Sequence, residues 1–163
     1  MPEWVTHLTA GWIVGKAVRA DRKTMTFLLL GSLLPDLGYK WYMVLTNIMQ
    51  PHKAFLFLMP LHALLGGLLL SVFVAGFFPE KWFSTATKYL AIGVLTHLFL
   101  DSFLTHFGTS MTYFIPLSQK PMGIPILWSD NPLPLFFSLF LIATIHIRER
   151  LSSKVPTNRG ENR

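Results

Sequence analysis

From Ala54 to Pro79 the chain carries no Asp, Glu, Lys or Arg. That uncharged run exceeds the roughly 20 residues a helix needs to cross a bilayer. Shorter apolar segments flank it, each bounded by charged or turn-forming residues. The pattern predicts helices over 4–20, 24–46, 54–78, 86–107 and 132–147. Pro35 interrupts the second and leaves the carbonyl of Gly31 without its helical donor, a kink. The fifth opens on Pro132 and Pro134, where proline is tolerated. The fourth is expected to end near Gly108. Residues 109–131 hold Pro116, Pro121, Gly123 and Pro125 and read as a loop. The pattern therefore predicts an all-α integral membrane bundle of four to five short transmembrane helices. Residues 1–148 form one domain, and 149–163 form a polar, disordered cytoplasmic tail. The first helix is short enough either to span or to lie in the interface.

Composition agrees. Hydrophobic residues make up 52% of the chain and charged residues only 13%, against about 25% charged in soluble domains. The net charge is +6. The basic residues flank apolar spans rather than forming a nucleic-acid face, so they read as topology signals and no nucleic-acid partner is expected. With the 16–23 loop inside, every Lys and Arg except Lys40, Lys53 and Lys120 is cytoplasmic. The expected placement is a multi-pass cell-membrane protein with its N-terminus outside and its C-terminus in the cytoplasm. The N-terminus does not read as a secretory signal, because Glu3 stands where a basic region belongs. There are no cysteines, so thiolate ligands and a cysteine nucleophile are excluded.

Ionisable residues within apolar spans are costly and by default mark function. Here they are His7, Asp36, His62, His97 and Asp101. Counting about 1.5 Å per helical residue along antiparallel segments brings them to a similar depth, roughly 10 Å below the outer surface. His97 and Asp101 are four apart and share a helix face. An imidazole and a carboxylate at that spacing can hold one metal, or can simply satisfy each other. His106 is a candidate acid that protonates a leaving group, provided the fourth helix ends before it. His52 reads as an exposed loop histidine. His146 reads as a partner for terminal carbonyls of the fifth helix. Gly66 and Gly67, with Ala63, read as close-packing positions.

Five segments together resemble a known family: His7-Leu8-Thr9-Ala10-Gly11, Gly31-Ser32-Leu33-Leu34-Pro35-Asp36-Leu37, Pro60-Leu61-His62-Ala63-Leu64-Leu65-Gly66, His97-Leu98-Phe99-Leu100-Asp101-Ser102 and Ile115-Pro116-Leu117-Ser118. This ordered set is similar to the YdjM-like membrane-bound metal-dependent hydrolases, themselves distantly similar to zinc-dependent phospholipase C and P1-type nucleases. The resemblance implies metal ligation by His7, Asp36, His62, His97 and Asp101. Two positions depart from the family. Gly38 stands where a second Asp is common, and Phe57-Leu58 stand where a His-Arg pair is common. These losses weaken a second metal position or a phosphate contact.

Nitrogen and oxygen donors without sulfur suit zinc first, with manganese or iron acceptable. Five donors exceed the usual need of one zinc ion, so one or two divalent ions are expected, or Asp36 serves as a base. The expected function is hydrolysis of a lipid-like phosphoester near the outer leaflet through a metal-activated water. The loop 109–131 would cover the mouth. The alternative is a non-catalytic membrane protein that binds metal, transports or interacts with a partner. Purely structural His–Asp pairing is a third reading.

Overall fold

The computed structural model describes residues 3–105, 112–115, 117–124, 126–128 and 131–153. Within them the chain is mainly helical: α1 (Glu3–Ala17), α2 (Arg22–Gly31), α3 (Leu34–Leu45), α4 (Pro51–Leu58), α5 (Leu64–Ala75), α6 (Glu80–Asp101) and α7 (Leu133–Ser153). A 3-10 turn, Met59–His62, joins α4 to α5. Two short strands, β1 (Leu104–Thr105) and β2 (Leu127–Trp128), pair in parallel.

The all-α expectation holds, but the expected spans do not form as continuous helices. Among the described residues no helix is long and apolar enough to cross a membrane. The apolar run 54–78 is broken at Pro60, which has no N–H to donate, and Ala63 is extended at φ −101° and ψ 165°. The 12 residues of α5 reach only about 18 Å, short of a core about 30 Å thick. The Pro60 carbonyl folds back onto α5 at Gly66, where a Cβ would collide with it. Glycine is required there by close approach of backbone. His52 lies within α4 rather than in a loop.

The segment 24–46 also divides. Ser32 caps α2, its N–H meeting the Leu28 carbonyl and its hydroxyl donating to Leu29 at 2.8 Å. Pro35 then stands in the first turn of α3, so it starts a helix rather than kinking one.

The fourth helix ends at Asp101, not near Gly108. The Ser102 and Phe103 carbonyls accept instead from Ile124 at 2.8 Å and Ile126 at 3.0 Å. The returning loop thus takes the place of another helical turn. Residues 106–111 lie outside the described set, as do 116, 125 and 154–163. At the far end α7 continues through Ser153, so the first residues of the expected tail are helical.

α6 is the central element, packed against α1, α2, α3 and α5. Its buried residues are Ala86, Leu90, Gly93, Val94, His97, Leu98 and Asp101. Spacings of three and four place them on one face. The last two polar members therefore continue the stripe that the apolar core begins. α2 meets α6 backbone to backbone through a reciprocal glycine pair. A Cβ on Gly31 would strike the Leu90 carbonyl, and one on Gly93 would strike the Leu28 carbonyl. Gly67 gives α5 a similar approach to Val94.

The helix ends sort the charges. Lys16 pairs with Glu149, and Lys23 lies 4.4 Å from the Trp82 ring. These contacts gather the C-termini of α1 and α7 with the N-termini of α2 and α6. The start of α1, the α2–α3 break, the 3-10 turn and the C-terminus of α6 meet at the opposite end.

Candidate metal centre

That opposite end collects five of the sequence-predicted residues. His7 comes from α1, Asp36 from the first turn of α3, His62 from the 3-10 turn, and His97 and Asp101 from α6. His97 is fully buried, His7 and Asp101 nearly so, and Asp36 is 9% exposed. His62 is more open, its side chain 17% exposed.

Their donor atoms converge. His97 Nε2 lies 3.2 Å from Asp101 Oδ2, 3.7 Å from Asp36 Oδ1 and 3.1 Å from His62 Nε2. His62 Nε2 lies 3.0 Å from Asp101 Oδ2, and His7 Nε2 lies 3.4 Å from Asp101 Oδ1. Donors about 2.0–2.1 Å from a tetrahedral ion stand about 3.3 Å from one another. The observed separations bracket that edge. Despite the short distances, neither Asp101 oxygen accepts a hydrogen bond of good geometry among the described residues.

The backbone break in the second segment orients the centre. His97 Nδ1 lies 2.7 Å from the Ser32 carbonyl. A carbonyl only accepts, so Nδ1 carries a proton and Nε2 is the atom turned to the centre, a lone pair whenever the ring is neutral. That lone pair faces two carboxylates and a second imidazole. A proton on His62 Nε2 satisfies one acceptor at a time, whereas a divalent cation satisfies all of them. The residues present therefore fit a divalent metal with nitrogen and oxygen donors.

The donors form two overlapping groups: His7, His97 and Asp101, and Asp36, His62 and His97. The His7 and His97 rings are stacked, 3.8 Å between centroids and 18° between planes. Their in-plane lone pairs run side by side rather than toward one point. Asp101 touches both groups through different oxygens.

Of the remaining candidates, His106 lies outside the described residues. His146 sits far along α7, where its Nε2 accepts from Arg150 Nε at 3.0 Å. As side chains, Gly38, His52 and Phe57 lie outside the described set.

The sequence of the centre, from α1 through the loop after α6, is shared with a known family. The profile of the YdjM inner membrane protein family matches residues 1–157. The chain belongs to that family. Membrane localisation follows from YdjM membership, and the apolar side chains that α5 and α7 expose, among them Leu69, Phe73, Phe136 and Phe140, suit a lipid environment. No curated protein and no solved structure matches the chain.

Two contributors to the site were not read from the sequence. One is the Ser32 carbonyl, and the other is the Gly31–Gly93 contact that brings it to His97. Gly93 stands four residues before His97 on the same helix face. A glycine there was the available signal.

Proposed function

We propose that this YdjM protein is a metal-dependent hydrolase acting on a lipid-like phosphoester, with its centre near the outer leaflet. The observation that supports this most directly is the convergence of His7, Asp36, His62, His97 and Asp101 at separations of 3.0–3.7 Å. Zinc is the preferred ion, with manganese or iron acceptable. A bound divalent ion would act as a Lewis acid on a phosphoryl oxygen and acidify nearby water.

The chain's own residues divide the remaining work. Asp101 and His97, buried and held by α6, fix the geometry. Ser32 holds the His97 tautomer. Asp36 is the more open carboxylate and takes the proton from the attacking water. As the water oxygen bonds to phosphorus, the ester oxygen leaves and takes a proton, for which His106 is the proposed donor.

The spans in this reading are discontinuous. α2 with α3, and α4 with α5, cross as broken pairs whose breaks line the protein-enclosed site. In this reading the end away from the centre, which carries basic residues, faces the cytoplasm, with the N-terminus outside.

The test uses the full chain in detergent, its metal content measured and phosphoesters offered. Cleavage that stops on chelation and is absent in His97→Ala is expected. A metal-loaded protein that leaves every phosphoester intact overturns the hydrolase. It would favour the second reading, a non-catalytic metal-binding element. That reading draws its support from Gly38, which stands where the resembling enzymes often carry an acid.

A further inference from the structure

Beside the metal centre, a cavity of about 310 Å³ lies between α1, the end of α6, β2 and the start of α7. Its size is near the lower end of the roughly 300–1,000 Å³ typical of ligand pockets. It suits one chain of an amphiphile better than a whole lipid. Leu100, Leu104, Leu127 and Phe137 make its walls apolar, and His7 and Ser138 complete them.

Three observations bear on the occupant. His7 belongs both to this wall and to the donor cluster, 3.4 Å from Asp101 Oδ1. A ligand lying in the cavity therefore has its inner end at the centre. Thr6 also lines the cavity, and its hydroxyl is buried with no hydrogen-bond partner among the described residues. An oxygen-rich head would supply that partner. Finally, Trp128, Leu133 and Phe136 are exposed around the cavity's α7 side, an apolar approach that a hydrocarbon chain tolerates and a soluble substrate does not.

We propose that the cavity binds the single apolar chain of an amphiphile whose anionic head rests at His7 and Thr6, beside the metal centre. The head's placement rests on the metal-centre reading above; the chain's placement rests on the cavity alone. The occupant is a membrane-derived molecule with one hydrocarbon tail in the protein, and the cavity selects for that tail.

The experiment uses the metal-loaded full chain and a medium-chain alkyl phosphate bearing a terminal diazirine. After irradiation the labelled peptides are identified. Label is expected on the segments around Leu127 and Ser138. Two variants fill the cavity from opposite walls, Ser138→Phe and Leu127→Trp. Each should lower that label about tenfold, equivalent to about 1.4 kcal/mol, at unchanged metal content. Label on the exposed α5 face at Leu69 and Phe73 should stay constant in both. Label confined to that exposed face, or undiminished in both metal-retaining variants, overturns the proposal. Cavity label in a protein that cleaves nothing keeps the chain site and sinks the hydrolase. Cleavage without cavity label, indifferent to chain length, does the reverse.

Discussion

Replacing Asp101 by Asn keeps the shape of the side chain and removes its charge at the point where both donor groups meet. In the structure Asp101 Oδ2 lies 3.0 Å from His62 and 3.2 Å from His97, and Oδ1 lies 3.4 Å from His7. Asp101 thus meets all three imidazoles. If these atoms share a metal, its binding free energy adds to folding stability. At free metal about 100 times the dissociation constant, the gain is about 2.7 kcal/mol. For a chain of this size each kcal/mol moves Tm by about 2–4 °C. The wild-type protein should therefore unfold about 5–11 °C higher with metal than with chelator. Loss of a supporting group alone weakens metal sites by up to about 100-fold. Taking that figure for Asp101→Asn leaves metal at about its dissociation constant, worth about 0.4 kcal/mol, or about 1 °C. The assay is thermal unfolding in one detergent, with zinc and with chelator, for both proteins. Wild-type protein indifferent to zinc, or Asp101→Asn stabilised as much as wild type, refutes the shared-metal reasoning.

Gly93→Ala tests whether α2 must touch α6 for the centre to form. Its Cβ would strike the Leu28 carbonyl, so α2 must shift and the Ser32 carbonyl with it. A loss of about 1–3 kcal/mol is expected, with zinc affinity falling in parallel; intact affinity would show that Ser32 does not orient His97. Leu90→Ala, on the same buried stripe but away from the donors, should cost about 2–5 kcal/mol. Its zinc affinity should match wild type when measured below the unfolding range. Asp21 caps α2, accepting from the Thr24 hydroxyl at 2.6 Å and the Thr24 N–H at 2.8 Å. These bonds, the hydroxyl foremost, hold its carboxyl below the ordinary carboxylate value. A depressed acid stabilises above its unfolded value and loses that contribution as pH falls through the folded one. Asp21→Ala should thus lower Tm near neutrality and match wild type in strong acid. A difference that persists in acid would show that the cap does not act through its charge.

The apolar periodicity and the five ionisable residues within apolar segments pointed to the helical class, the membrane setting and the residues of the candidate centre. Burying an imidazole or a carboxylate is so costly that its presence in an apolar run is legible in one dimension. The spacing of His97 and Asp101 was legible for the same reason, because four residues along a helix return to one face. Where the helices break was not. Pro35 and Pro60 mark both places, but a proline can start, kink or interrupt a helix, and its neighbours decide which. At Pro60 the decision lies with Gly66, whose missing Cβ admits the carbonyl. At the α2–α3 break, the capping serine offers its own carbonyl to His97, 65 residues away. The end of α6 was likewise set by distant chain, since Ile124 and Ile126 claim the carbonyls of Ser102 and Phe103. Local pattern tells which residues cannot face lipid. Only packing decides which backbone atoms they face instead, because those partners arrive from remote segments whose approach depends on volumes that no local pattern records.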